Sequence, residues 1–329
     1  MKLITALTLS AYLRIRSCLG HRGRRAFTLM EVLVAMAVLT VLVLLIAQIT
    51  NAVFDAIRLS NRAVDAAAQS RLAFDRIGLD INAMVKRADA DFVAKPTSGP
   101  SNEYVLQLLA SSPSSDTTTG FKNRGISLVG YRILPHANND GRACLIRGAK
   151  AISWDISGWM GLDNDGYPVQ FSSSSYPLKL VDSDFDVLAP GVVRMVVGYQ
   201  LYPDNEEVDL ADGTHLANAR GQIVYSAPVY GASAPDNQHM DLSRVSALII
   251  GLAVIDLTSL KLLDATKVNT LASAFSAMPP VNAMPVEKWM ADTSNLTALP
   301  NTIPAPVRSS VRLYQRVYPI TPFGTRAVN

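Results

Sequence analysis

The sequence predicts an α+β chain: one long N-terminal helix, first transmembrane and then amphipathic, packed on an antiparallel β-sheet head. Three observations predict it. Residues 32–47 carry no charge. Residues 51–90 keep a helical apolar period, with no Pro and Gly78 as the single Gly. Beyond about residue 100, short runs rich in Val, Ile and Tyr alternate with Gly, Pro, Asn and Asp. No regular strand–helix alternation is present, which favours antiparallel pairing.

Four segments follow in order: a basic leader at 1–26, a transmembrane helix at 27–50, a continuation of that helix at 51–95, and a β-rich head with long loops at 96–329. The leader holds Lys2, Arg14, Arg16, Arg22, Arg24 and Arg25 and no acid. Beyond it, 27 acids face the remaining 24 bases, so the formal net charge of +3 overstates how basic the body is. A mildly acidic body implies no nucleic-acid partner. Apolar residues at 49% and charged ones at 17% exclude a disordered chain. Cys18 and Cys144 are the two cysteines and build no disulfide framework.

The uncharged run extends to Thr50. At about 1.5 Å per residue it reaches roughly 30 Å, the thickness of a hydrocarbon core. The arginines precede it, so the N-terminus stays in the cytoplasm and the body is exported. Past Thr50, Phe74, Ile77, Ile81, Met84 and Ala88 recur three or four apart and make one apolar face. Arg71, Asp75, Asp80, Lys86 and Arg87 are expected on the other. The spacing predicts one helix over roughly 28–90, ended by Pro96 and the stretch 97–100. Strands are expected at 104–109, 126–133, 143–147, 192–201, 222–225, 247–256 and 311–318, a helix at 257–277, and an irregular Pro-rich stretch at 279–306. Polar loops are expected at 111–120, 162–176 and 202–220.

The chemistry concentrates at Arg24-Arg25-Ala26-Phe27-Thr28-Leu29-Met30-Glu31. Glu31 is the one charge at the lip of the apolar run. A carboxylate at a bilayer centre costs about 2.5–3.5 kcal/mol on insertion scales. Nearer the boundary it costs less but still needs a partner. A free amine on Phe27, one helical turn earlier, would supply one, as would a neighbouring copy's amine. Glu31 is equally well read as an N-terminal helix acid favoured by the macrodipole. Residue chemistry alone leaves both readings open.

This junction resembles the processing site of type IV prepilins and of the pseudopilins of type II secretion. The resemblance implies a pseudopilin-like fold, cleavage by a prepilin peptidase between Ala26 and Phe27, and N-methylation of Phe27. It also implies an assembly role for Glu31 within the Thr28-Leu29-Met30-Glu31 segment. Ala26 departs from the family's usual Gly, and the leader is long. The implied partners are the peptidase, other pilin-like subunits and the inner membrane, with the head in the periplasm or an extracellular filament. No cofactor and no enzymatic activity are implied.

A large head is awkward to repeat along a thin filament and easier to place at a tip. The stretch 69–80 is similar to the post-membrane helix of J-type minor pseudopilins. The runs 129–133, 144–148, 191–195 and 245–250 are similar to their head strands. The large insertions and the ending at 311–320 look more like the prepilin-type Verru_Chthon cassette proteins of C type, which imply no biochemical role. Two other readings exist: export by a twin-arginine signal built on Arg24-Arg25, and a plain signal-anchored protein with a binding or enzymatic role. Against the first, the run is very apolar, contains Glu31, and no small-x-small site directly follows.

Other constellations read as structure. Asp163, Asp165, Asp182 and Asp184 are calcium candidates, but neither Asp run has the full EF-hand spacing, and Asn-Asp-Gly is turn chemistry. His21, His136, His215 and His239 lack metal-ligand spacing. Ser172–Ser175 have no nucleophile elbow around them, and no Gly-rich phosphate loop is present. Trp154, Trp159 and Trp289 read as core or rim aromatics, and Cys144 as a small buried hydrophobe.

Overall fold

A computed structural model describes residues 28–86, 92–94, 106–111, 125–151, 180, 184–203, 208–209, 215–216, 220–225, 229–230, 240–241, 244–275, 281–296 and 303–321. The chain divides into two compact units, Met1–Arg58 and Leu59–Asn329. One element belongs to both: α1, Leu29–Asn82.

Among the described residues of the first unit, α1 stands alone. Its large apolar side chains are exposed throughout, from Leu29 to Ile57. Its two mid-helix hydroxyls are satisfied locally. Thr40 and Thr50 donate their hydroxyls to the carbonyls of Met36 and Ile46, each at 2.8 Å. Such back-bonding removes hydroxyls from the need for water, which an apolar surround demands.

In the second unit the rest of α1 packs on two antiparallel sheets. The first has the order β1-β2-β3-β4-β5: Phe92–Ala94, Leu106–Ala110, Ser127–His136, Arg142–Ala151 and Phe185–Ala189. The second has the order β13-β12-β6-β9: Arg312–Pro319, Val245–Val254, Val192–Leu201 and Ile223–Val224. Two-residue pairs complete the strands: β7 (Val208–Asp209) with β8 (His215–Leu216), and, in parallel, β10 (Val229–Tyr230) with β11 (Met240–Asp241). The β3–β4 hairpin turns through Asp140 (φ 52°) and Gly141 (φ 70°), the left-handed conformation that Asn-Asp-Gly chemistry supplies. Strands β6 and β12 are buried at nearly every position, which is why they read as continuous apolar runs rather than alternating ones.

Helix α1 lays Ala66, Ala73, Phe74, Ile77 and Ile81 into this core, as the apolar period requires. Four short helices follow β12: α2 (Leu257–Leu260), α3 (Ala265–Ser273), α4 (Pro285–Leu296) and α5 (Ala305–Arg308). Helix α3 lies against β4 and β6, and α4 against β12 and β13. Trp289 of α4 is fully buried and meets Phe275 edge-on, ring centres 5.6 Å apart.

Several expectations need correction. Helix α1 ends at Asn82 rather than near 90. Past it the backbone joins the end of β2: Val85 N–H donates to Leu109 O at 2.8 Å, and Ser111 N–H to Ala83 O at 2.6 Å. The single helix expected at 257–277 is two, because Asp256 and Asp264 each cap a new start, accepting from Ser259 N–H at 2.9 Å and Lys267 N–H at 2.8 Å. The Pro-rich stretch contains α4 and α5, whose prolines sit in the first turn, where no amide donor is missed. Strand β5 was not anticipated. Asp80 belongs to the buried face of α1, not its polar one.

Candidate functional site at the start of the first helix

The described chain begins at Thr28, which ends the helix by capping it. The Glu31 amide sits 3.0 Å from Thr28 O and 3.2 Å from Thr28 Oγ1, and Val32 N–H donates to the same carbonyl at 3.2 Å. The Thr-x-x-Glu spacing is that of a capping box, with the threonine half formed. Leu29 follows, 82% exposed. Ala26 and Phe27 lie outside the described residues.

The Glu31 side chain is exposed, and among the described residues its carboxylate has no hydrogen bond or ion pair. It heads a shallow groove lined otherwise by Val32, Ala35, Met36 and Leu39. A single acid at the end of an apolar track suits a partner with a cation at one end and a hydrocarbon body.

A second polar constellation lies in the head. Asp80 of α1 is 2% exposed. Its Oδ2 accepts from Arg147 Nε at 2.7 Å and from the Tyr131 hydroxyl; its Oδ1 accepts from Arg147 Nη2 at 2.9 Å. Arg76 adds a longer contact at 3.7 Å. Burial, and then the Asp80 charge, hold the Tyr131 phenol well above its usual range. This fork joins α1 to β3 and β4 around a buried carboxylate, which makes it a clamp. Sequence spacing contained the signal, since Asp80 lies three residues from Ile77 and one from Ile81. Two further contacts tie α1 to β13: Arg316 meets Asp75 at 2.7 Å, and the Tyr318 hydroxyl donates to Phe74 O at 2.6 Å.

The remaining candidates do not converge. Asp163, Asp165 and Asp182 lie outside the described residues, and Asp184 directly precedes β5. No group of three His, Cys, Asp or Glu among the described residues could hold a metal ion. His136 accepts from Asn138 N–H at 3.1 Å and caps a 3₁₀ turn. His215 lies in β8; His21, His239, Trp154, Trp159 and the serines at 172–175 lie outside the described residues. Cys144 is buried in β4, and that burial pushes its thiol up to about 12.

Comparison with known proteins gives one finding, at the same place as the capped helix start. A family model described as a prokaryotic N-terminal methylation motif matches residues 21–47. No curated protein and no solved structure matches the chain. The described residues contain one helix long and apolar enough to cross a membrane, and it is α1. The matched segment spans the basic stretch before Phe27, the Phe-Thr-Leu-Met-Glu junction and the first five turns of that helix, and over it the chain is similar to type IV prepilins.

Proposed function

We propose that the chain is a minor pseudopilin or pilin-like structural subunit. In this reading prepilin peptidase hydrolyses the Ala26–Phe27 bond: water adds to the Ala26 carbonyl, the C–N bond breaks, and Ala26 leaves as carboxylate while Phe27 gains a free amine. That amine then takes a methyl group from a methyl-sulfonium donor and loses a proton. The segment 1–26 is the leader, 27–50 the membrane anchor, 51–95 its continuation, and 96–329 the head. The head faces the periplasm, and the large body suits the tip of a filament. The role is structural rather than catalytic.

The observation that carries this reading is the Glu31 carboxylate, unpaired among the described residues, at the head of an apolar groove. In hydrocarbon it needs a cation, and the amine made by cleavage, on this chain or a neighbour, is the matching group. The similarity of 69–80 and the head strands to J-type minor pseudopilins supports a minor role; the ending at 311–320 favours the Verru_Chthon cassette proteins of C type.

The mature N-terminus from the native host tests processing. Methylated Phe27 is expected; a start well beyond Thr50 would instead indicate twin-arginine export. Glu31→Ala tests assembly. It should leave the membrane anchor intact and abolish co-purification with other pilin-like subunits. Undiminished co-purification would reduce the chain to a signal-anchored protein.

A further inference from the structure

We propose that the free edge of β13 docks an extended segment of a different protein chain, which runs antiparallel to β13 and alternates apolar with acidic residues. Such docking goes beyond the subunit role above and does not require the cut at Phe27.

The backbone shows which groups are on offer. Ile320 N–H donates to Ser246 O at 2.8 Å. These two residues continue the β12–β13 register, which runs without a shift from Ala247↔Pro319 to Val254↔Arg312. In an antiparallel pair, bonded and non-bonded positions alternate. Arg312, Tyr314, Arg316 and Tyr318 therefore bond β12, while Leu313, Gln315 and Val317 turn N–H and C=O away from it. Pro319 falls at an outward position, where its lack of an N–H costs no ladder bond. Among the described residues no backbone group meets these outward donors and acceptors. Gln315 and Val317 are also exposed.

The other sheet edges offer less. Strand β1 has 3 residues, β9 has 2, and β5 has 5 with a register shift against β4, whereas β13 has 8. A bare edge invites pairing, and proteins blunt it with a charge, a bulge or an inserted proline. The β13 edge has no bulge, and its outward-bonding residues before Pro319 carry no charge. Its arginines are engaged elsewhere: Arg316 on Asp75 at 2.7 Å, and Arg312 on the carbonyls of Ser309 and Val311, each at 3.0 Å.

The side chains define the occupant. Gln315 Oε1 accepts from Val286 N–H of α4 at 3.3 Å, whereas Arg316 and Tyr318 reach α1. Odd-numbered residues of β13 thus face α4 and even-numbered ones α1. On the α4 side an incoming strand meets Leu313 and Val317, which favour apolar neighbours. On the α1 side Arg71, Arg312 and Arg316 outnumber Asp75, which favours acidic ones. The β13 of a second copy has two arginines and no acid, so it supplies no counter-charge.

Residue-resolved amide exchange of the full-length chain in detergent micelles tests this, with a synthetic Glu-Val-Glu-Val-Glu-Val-Glu peptide as the probe. Without peptide, the Leu313, Gln315 and Val317 amides should exchange fast and those of Arg312, Tyr314, Arg316 and Tyr318 slowly. Saturating peptide should slow the three outward amides about tenfold, the factor equivalent to one hydrogen bond. A Lys-Val peptide of the same length, and the Glu-Val peptide with a fully N-methylated backbone, should leave them fast. Val317→Pro removes an outward N–H and no β12 bond, so it should keep the fold and abolish the peptide effect; Val317→Ala should retain that effect. Unchanged exchange with the Glu-Val peptide, or equal slowing by the Lys-Val or N-methylated peptide, overturns the proposal. So does a dimer whose outward amides are already slow without peptide, which would assign the edge to a second copy. Neither the Phe27 terminus nor the Glu31→Ala result depends on these outcomes, so the docking site and the subunit role fail separately.

Discussion

At the scale of single residues, the head is organised by charges that its burial would otherwise forbid. Asp80 is tolerable inside because Arg147 grips both of its oxygens and Tyr131 donates to one. Breaking such a pair costs more than never having built it. Arg147→Met should therefore destabilise the head by about 3–5 kcal/mol, whereas Tyr131→Phe, which leaves the fork in place, should cost about 1 kcal/mol. Denaturant titration of the two variants checks the ratio. Arg194 presents the opposite case. It is 2% exposed, and among the described residues its Nε and Nη1 atoms have no hydrogen-bond partner. Burial alone draws its guanidinium down to about 10. Among the described residues no partner meets those two atoms, so Arg194→Met should raise stability by about 1–4 kcal/mol. A lower melting temperature for that variant would contradict this account.

At the scale of elements, contact between α1 and the sheets depends on closeness as well as on apolar area. Gly191 N–H donates to Gln69 Oε1 at 2.6 Å, and Gly191 O accepts from Ile255 N–H at 2.9 Å. A Cβ there would stand 2.2 Å from Ile255 O and 2.5 Å from Gln69 Oε1. The first of these is backbone and cannot step aside. Gly191→Ala should cost about 1–3 kcal/mol as overpacking, readable as a lower midpoint at unchanged denaturant slope. Sequence alone disclosed much at this scale. The three- and four-residue recurrence of Phe74, Ile77, Ile81 and Met84 identified the inner face of α1, and β6 was legible at both ends because Gly191 and Pro203 punctuate an apolar run. What stayed hidden has tertiary causes. Helix α1 stops at Asn82 because the next residues pair with β2, a partner more than 20 residues away. Strand β5 was obscured by aspartates that suggested turns and calcium. The candidate site at Thr28 and Glu31 was visible as a motif, but the threonine's cap needed coordinates.

At the scale of the whole molecule, the buried weak acids of the head set a shared limit on alkaline stability. Burial raises Cys144 from 9.0 to about 12 and Tyr318 from 10.0 to about 12, and it also raises Tyr131 and Tyr225. Each group keeps its proton in the folded state at pH values where the unfolded chain has released it. Their contribution is complete below pH 9 and is lost as pH rises through the folded values. The melting temperature should hold steady to about pH 9 and then fall progressively towards pH 12. Cys144→Ser combined with Tyr318→Phe should flatten that fall relative to its own neutral value. A wild-type melting temperature constant to pH 12 would contradict the prediction.

The same shielded cysteine would report the proposed cut. Cys18 and Cys144 are the two cysteines of this sequence. A chain relieved of its first 26 residues keeps one. Titration with a thiol reagent in strong denaturant should count two in the uncut form and one in the cut form. Under native neutral conditions Cys144 should stay silent, leaving a newly introduced surface cysteine, for instance at the exposed Met290 position, as a clean attachment point for a probe.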